Sequence, residues 1–108
     1  ELLQRLKDAH IALNVCFSSN VIGGLYSPQT HPLGKLFSDG QLVTVSTDDP
    51  MLLDLPLLKE LQIVTEQYGW GINEVLQLQK NAAAFCTQEE KEKLYAYIDV
   101  FQKKLSAF

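Results

Sequence analysis

Cysteine is scarce in this chain: Cys16 and Cys86 stand far apart, with no Cys-x-x-Cys spacing. That excludes a disulfide framework and a cysteine-ligated zinc site, and it fits a reducing, cytoplasmic setting. No apolar run reaches the roughly 18 residues of a membrane span, and no basic stretch followed by an apolar one opens the chain. Basic residues do not cluster either. The formal net charge is −4, and Lys91, Lys93, Lys103 and Lys104 alternate with acids and apolar residues. This is the pattern of a solvated helix face, not of a phosphate-binding surface. Neither nucleic acid nor membrane is expected as a partner. Gly23-Gly24 has no Gly-x-Gly-x-x-Gly or Walker pattern around it, so it reads as a turn. Internal repeats and low-complexity segments are absent as well.

What is present suits one folded unit. With 46% hydrophobic and 20% charged residues, the chain is too apolar for disorder, and its 108 residues are one domain's worth at most. It does not begin with Met, and Leu2, Leu3, Leu6 and Ala9 already recur at helical spacing, so an upstream part is expected. Ile11–Cys16 reads as a buried strand, and the Ser-, Asn-, Gly- and Pro-containing stretch from Phe17 to Thr30 as loop. Pro32 suits the first turn of a short helix carrying Leu33, Leu36 and Phe37, which Gly40 ends. A second strand, Leu42–Ser46, runs directly into Thr47-Asp48-Asp49-Pro50. Three helices are expected beyond it. The first covers about 55–68, with Leu57, Leu58, Leu61, Val64 and Tyr68 along its buried side. Gly69-Trp70-Gly71 breaks it, Trp70 serving as an anchor against the core, and the second covers about 73–84. The last opens on a Thr87–Glu90 capping box and buries a stripe of Leu94, Ile98, Phe101 and Leu105.

The order strand, loop, helix, strand leaves a crossover of roughly two dozen residues, long enough for parallel pairing but not for a tight hairpin. Both strands read as apolar on both faces, as a parallel sheet covered by helices requires. The class is α/β. In such folds reactive residues gather where strands end on their C-terminal side. Asp48 and Asp49 hold that position after the second strand, and Ser18, Ser19 and Asn20 after the first. Adjacent carboxylates there can divide labour, one binding a cation and the other facing a substrate. The same four residues are equally good turn and helix-start chemistry, and their spacing alone leaves both readings open. His10 lies about 20 Å from that end of the strand. His31 reads as a helix-start residue, and nothing adjacent activates the Cys16 thiol.

The segments Cys16-Phe17-Ser18-Ser19-Asn20, His31-Pro32-Leu33, Asp39-Gly40 and Val43–Pro50 resemble adenosine deaminases, metal-dependent purine deaminases, in order and spacing. The similarity continues through Leu57–Glu60 to Asn81-Ala82-Ala83 and so covers most of the chain. It implies a (β/α)8 TIM-type barrel, with residues 1–108 supplying the last two parallel strands and the C-terminal helices. It also implies that Asp48 is a ligand of a catalytic zinc and that Asp49 hydrogen-bonds the purine N7. Zinc-activated water would then attack C6 and ammonia would leave. Two positions depart from the family pattern: Phe17 stands where Cys-Pro is common before the Ser-Asn pair, and Ser46 where Asn is frequent. The cysteine-zinc deaminase signatures are absent. So are His-x-His, a second-half zinc histidine and His-x-x-Glu, and one carboxylate cannot hold a catalytic zinc. The expected function is therefore that of a fragment of an adenosine-to-inosine deaminase, a zinc hydrolase acting on a purine nucleoside. By itself the chain should be inactive and should not retain zinc. A related adenine or AMP-type deaminase and a non-catalytic interaction domain derived from the family are the alternatives.

Two parallel strands leave unpaired edges on both sides, which invite pairing with another chain. The isolated segment is expected to self-associate, so sedimentation at high concentration should show dimers or larger species. A cooperatively unfolding monomer under those conditions would contradict this.

Overall fold

The computed structural model describes residues 1–107. Its elements, in chain order, are α1 (Leu2–Asp8), β1 (Leu13–Val15), α2 (Phe17–Ile22), α3 (Leu33–Ser38), β2 (Val43–Val45), α4 (Leu57–Tyr68), α5 (Ile72–Ala83) and α6 (Gln88–Ser106). β1 and β2 pair in parallel, Leu13 beside Val43 and Val15 beside Val45. The Leu13 amide donates to the Leu42 carbonyl and the Ser46 amide to the Val15 carbonyl, both at 2.9 Å. The α/β class and the parallel pair thus match the sequence reading, with shorter strands.

The faces of the sheet do not match it. Side chains alternate along a strand, and here only one face is apolar. Val15 and Val43 are buried there with Phe17, Leu33, Val64 and Leu78, and Leu13 and Val45 pack beside them. The other face carries Asn14, whose Oδ1 accepts hydrogen bonds from Thr44 Oγ1 at 3.0 Å and Ser46 Oγ at 2.7 Å. An open groove of about 600 Å³, bounded by Asn14, Thr44, Ser46, Leu57, Leu61 and Phe85, lies on this side.

Three other expectations are corrected. Residues 17–22 form a helix, not a loop; Cys16 at its N-cap supplies no capping side chain, and the acceptor for its first turn comes from Glu60, far along the chain, where local sequence does not reveal it. On α4 the buried positions are Glu60 and Val64, whereas Leu58 is 80% exposed and Leu57 is exposed too. Finally, α6 buries none of its residues, and Leu94, Phe101 and Leu105 remain exposed. It leans on α5 through a Tyr95 hydroxyl bond to the Lys80 carbonyl at 3.3 Å and a Lys80–Asp99 ion pair at 3.3 Å.

Local signals hold well elsewhere. Glu90 donates its amide to Thr87 Oγ1 and receives the Thr87 amide on Oε2, so the capping box starts α6. Gly40 and Gly69 adopt the left-handed conformation that lets α3 and α4 stop. Trp70 stacks on Tyr68 at 4.9 Å and tilts against Phe37 at 4.5 Å, the anchor role expected of it. Buried Asn81 donates to the Val43 carbonyl at 2.8 Å and ties α5 to β2. Among the described residues no helix is long and apolar enough to cross a membrane.

The α3–α4 contact sets a sharp steric limit. A Cβ on Gly34 would stand 2.6 Å from Tyr68 Cε1, and that ring is held by Phe17 and Trp70. Gly34→Ala is therefore expected to destabilise the fold by about 1–3 kcal/mol, read from the urea midpoint. An unchanged midpoint would show that the ring gives way freely.

Candidate functional site

Parallel pairing brings the C-terminal ends of β1 and β2 side by side, and the chain leaves each differently. From β1 it turns at Cys16 straight into α2, whose residues Ser18, Ser19 and Asn20 face three different neighbours. From β2 it continues extended through Ser46 and Thr47 to Asp48, where φ is +66°. Left-handed backbone costs a non-glycine residue about 1–2 kcal/mol, least for Asp and Asn, and such outliers concentrate at functional sites. His10 and Asp54 share this conformation in turns away from the C-terminal strand ends.

Ser19 Oγ donates to Asp48 Oδ2 at 2.7 Å, so the hydroxyl at the end of β1 orients the carboxylate at the end of β2. Asp49 behaves differently. Its Oδ1 accepts the Leu52 amide at 3.1 Å and its carbonyl accepts the Leu53 amide at 3.0 Å, closing a turn over Pro50–Asp54. This is the turn chemistry that the Thr47–Pro50 stretch also encodes. Both aspartates are exposed, and neighbours in sequence point apart, so one is tied to Ser19 and the other to its own turn.

Beneath this pair lies a residue that periodicity did not single out. Glu60 has no exposed surface, and its Oε1 accepts the Ser18 amide at 2.9 Å from 42 positions away. Ser18 belongs to the first turn of α2, whose amides have no intrahelical acceptors, so Glu60 is the cap that Cys16 fails to provide. Its Oε2 has no hydrogen-bond partner. The sequence did carry the signal: Glu60, Val64 and Tyr68 share one i, i+4 row, and an acid in the buried row of a helix is rare unless paired.

His31 is buried and fully committed. Its Nδ1 accepts the Leu33 amide at 3.1 Å, so Nε2 carries the proton and donates to Asn20 Oδ1 at 3.1 Å. Phe17 and Tyr26 pack on the ring at 4.7 and 5.2 Å, and Tyr68 donates to the His31 carbonyl at 3.3 Å. With one nitrogen accepting and the other protonated, the ring offers no lone pair to a metal. It fastens the 23–30 loop onto α2. Cys16 lies near both Asp48 and Glu60. Burial and then repulsion from those two carboxylates push its thiol pKa upward, the opposite of an activated nucleophile. His10 lies before β1, at its N-terminal end.

A divalent metal would find one suitable donor here, the hard carboxylate oxygen of Asp48 held in place by Ser19. Among the described residues no group of three or more His, Cys, Asp or Glu could hold a metal ion. The donor set thus fits one corner of a shared metal site and not a complete one.

Comparison with known proteins places this arrangement in context. A family model described as adenosine deaminase matches residues 1–101. The adenine deaminase of Rhizobium meliloti is 34% identical over 103 residues, which cover 93% of this chain and 32% of the relative. The adenosine deaminase of Shewanella halifaxensis is 34% identical over 91 residues, 82% of this chain and 28% of the relative. For the adenine deaminase of Rhizobium leguminosarum bv. trifolii the figures are 33% over 99 residues, 89% and 31%. The chain therefore spans less than a third of the length of each. No solved structure matches it.

The commitment of His31 gives the fold a pH dependence. Burial lowers its pKa below the ordinary 6.5, outweighing the opposing pull of Glu60. Just below pH 6.5 the unfolded chain takes up a proton that the folded chain refuses, so stability falls as pH drops through that window. The urea midpoint should decrease between pH 7.5 and pH 5.5, and His31→Gln should flatten that part of the profile. An identical slope in the variant would assign the effect to other groups.

Proposed function

The chain belongs to the adenosine deaminase family, and from that premise we propose that it is the C-terminal part of a zinc-dependent hydrolase converting adenosine to inosine and ammonia. The observation that carries this reading is Asp48, held in left-handed backbone at the end of β2 with Ser19 on its Oδ2. In the proposed whole protein, a cytoplasmic (β/α)8 barrel, residues 1–108 would supply the last two strands and the C-terminal helices. The sheet face that carries Asn14, Thr44 and Ser46, opposite the buried core, supports this, since a barrel strand turns one face to the outer helices and the other inward.

Each residue then has a defined task. Asp48 would hold the metal, with the Ser19 hydroxyl on Oδ2 keeping its carboxylate oriented. Zinc, when bound, supplies the Lewis acidity that makes water nucleophilic near neutral pH. Asp49, braced by the Leu52 amide through Oδ1, faces the base with its other oxygen. Purine N7 only accepts hydrogen bonds, so Asp49 must carry the proton that it donates. The remaining metal ligands and the general acid lie outside these residues, and the chain by itself is inactive.

A second reading, adenine or an adenine nucleotide in place of adenosine, is favoured by the adenine deaminase relatives, which match as well as the adenosine deaminase does. The base contact through Asp49 would serve either substrate.

The test uses the whole protein carrying this segment, with ultraviolet absorbance following adenosine and adenine in parallel. Turnover of adenosine supports the first reading, and turnover of adenine alone supports the second. Asp48→Ala should lose zinc and activity together. Asp49→Ala should keep zinc and lose about 3 kcal/mol of transition-state stabilisation, roughly 10²-fold in kcat/KM. Normal zinc content and turnover in Asp48→Ala would overturn the assignment.

A further inference from the structure

The relation of Glu60 to Asp48 extends the account beyond the site itself. Glu60 lies on α4, whereas the proposed ligand is at the end of β2, and no direct bond joins them. The connection runs through α2. Glu60 Oε1 holds the Ser18 amide at 2.9 Å, the next residue is Ser19, and Ser19 Oγ holds Asp48 Oδ2 at 2.7 Å. The Ser18 amide lies in the first turn of α2, so this bond sets where the helix starts on leaving β1, and helical geometry then places Ser19 one residue on, within reach of Asp48. Phe17, almost fully buried against the His31 ring, holds the other side of this turn.

We infer that Glu60 is a positioning residue for Asp48, acting through the Ser18 amide and the Ser19 hydroxyl. The inference rests on the reading of Asp48 as a metal ligand. A merely structural contact would be cheaper to build differently. Ser, Thr, Asn or Asp at position 16 would cap α2 locally, and an apolar residue at position 60 would avoid a fully buried carboxyl oxygen with no partner. Capping from the adjoining helix does what a local cap cannot. It locks α2 to α4, so that the exposed carboxylate is referenced to a buried, rigid point.

The experiment is zinc affinity of the whole protein by chelator competition, alongside thermal unfolding. Glu60→Met keeps volume and removes the acceptor, and it is expected to fold cooperatively while binding zinc roughly 10–100-fold more weakly. Glu60→Gln keeps an oxygen that accepts from Ser18 and should stay within about twofold of the unaltered protein. Ser19→Ala should weaken zinc to the same degree as Glu60→Met, and the double variant should be no weaker than Ser19→Ala, because both act along one route. If Glu60→Met does not fold, Glu60→Asp carries the same expectation, since it ends one methylene short of the Ser18 amide. The inference is overturned if the folded Met or Asp variant binds zinc normally, if Gln is as weak as Met, or if the double variant adds both losses. Asp48→Ala separates the two levels. Normal zinc binding in that variant defeats the ligand reading itself, whereas lost binding there with normal binding in Glu60→Met defeats only the role of Glu60.

Discussion

The hydrogen bond from the Ser18 amide to the buried carboxylate of Glu60 is the interaction on which the upper end of this structure depends. It starts a helix that has no local cap, and it does so at the point where the chain leaves β1. Helices need their first amides satisfied, and this bond adds to the burial of Phe17 and the Asn20–His31 contact that hold the six-residue helix. The carboxylate that serves it stands in the buried row of α4 beside Val64. One side chain therefore fixes the start of α2, the packing of α4 and the place of the Ser19 hydroxyl together.

The parallel register adds a second constraint. With Val15 opposite Val45, the residues leaving the two strands are neighbours, and a serine at one end can reach an aspartate at the other. Left-handed backbone at Asp48 turns the carboxylate toward Ser19, while the Asp49 turn carries the chain away over Pro50. His31 completes the support from below, joined to Asn20 and Leu33 and enclosed by Phe17 and Tyr26. In the proposed deaminase this scaffold presents one metal-binding oxygen and one base-facing carboxyl, and the rest of the barrel completes both.

Local chemistry was legible in the sequence. The β2 strand running into Thr47-Asp48-Asp49-Pro50, the Thr87 capping box and the Gly40 stop all depend on residues within a few positions of each other. The family, too, could be read from motifs spread along the chain. What could not be read depends on partners distant in sequence. α2 looked like a loop because its cap lies 42 residues downstream. Glu60 is hard to pick out because leucines at 57 and 58 make a more apolar side, yet Leu58 faces solvent. The stripe of α6 has helical period, yet none of its residues is buried, so periodicity marks the face without saying how much covers it. The polar face of the sheet is legible in Asn14, Thr44 and Ser46, which interrupt the apolar run of both strands at every second position.

A crystal structure of the whole protein, with zinc located by anomalous scattering, tests the central claim most directly. The account predicts a metal peak roughly 2.0–2.2 Å from a carboxylate oxygen of Asp48, with Ser19 on the other oxygen and Glu60 still on the Ser18 amide. A zinc site assembled without Asp48, or Asp48 turned to solvent away from the metal, would contradict it.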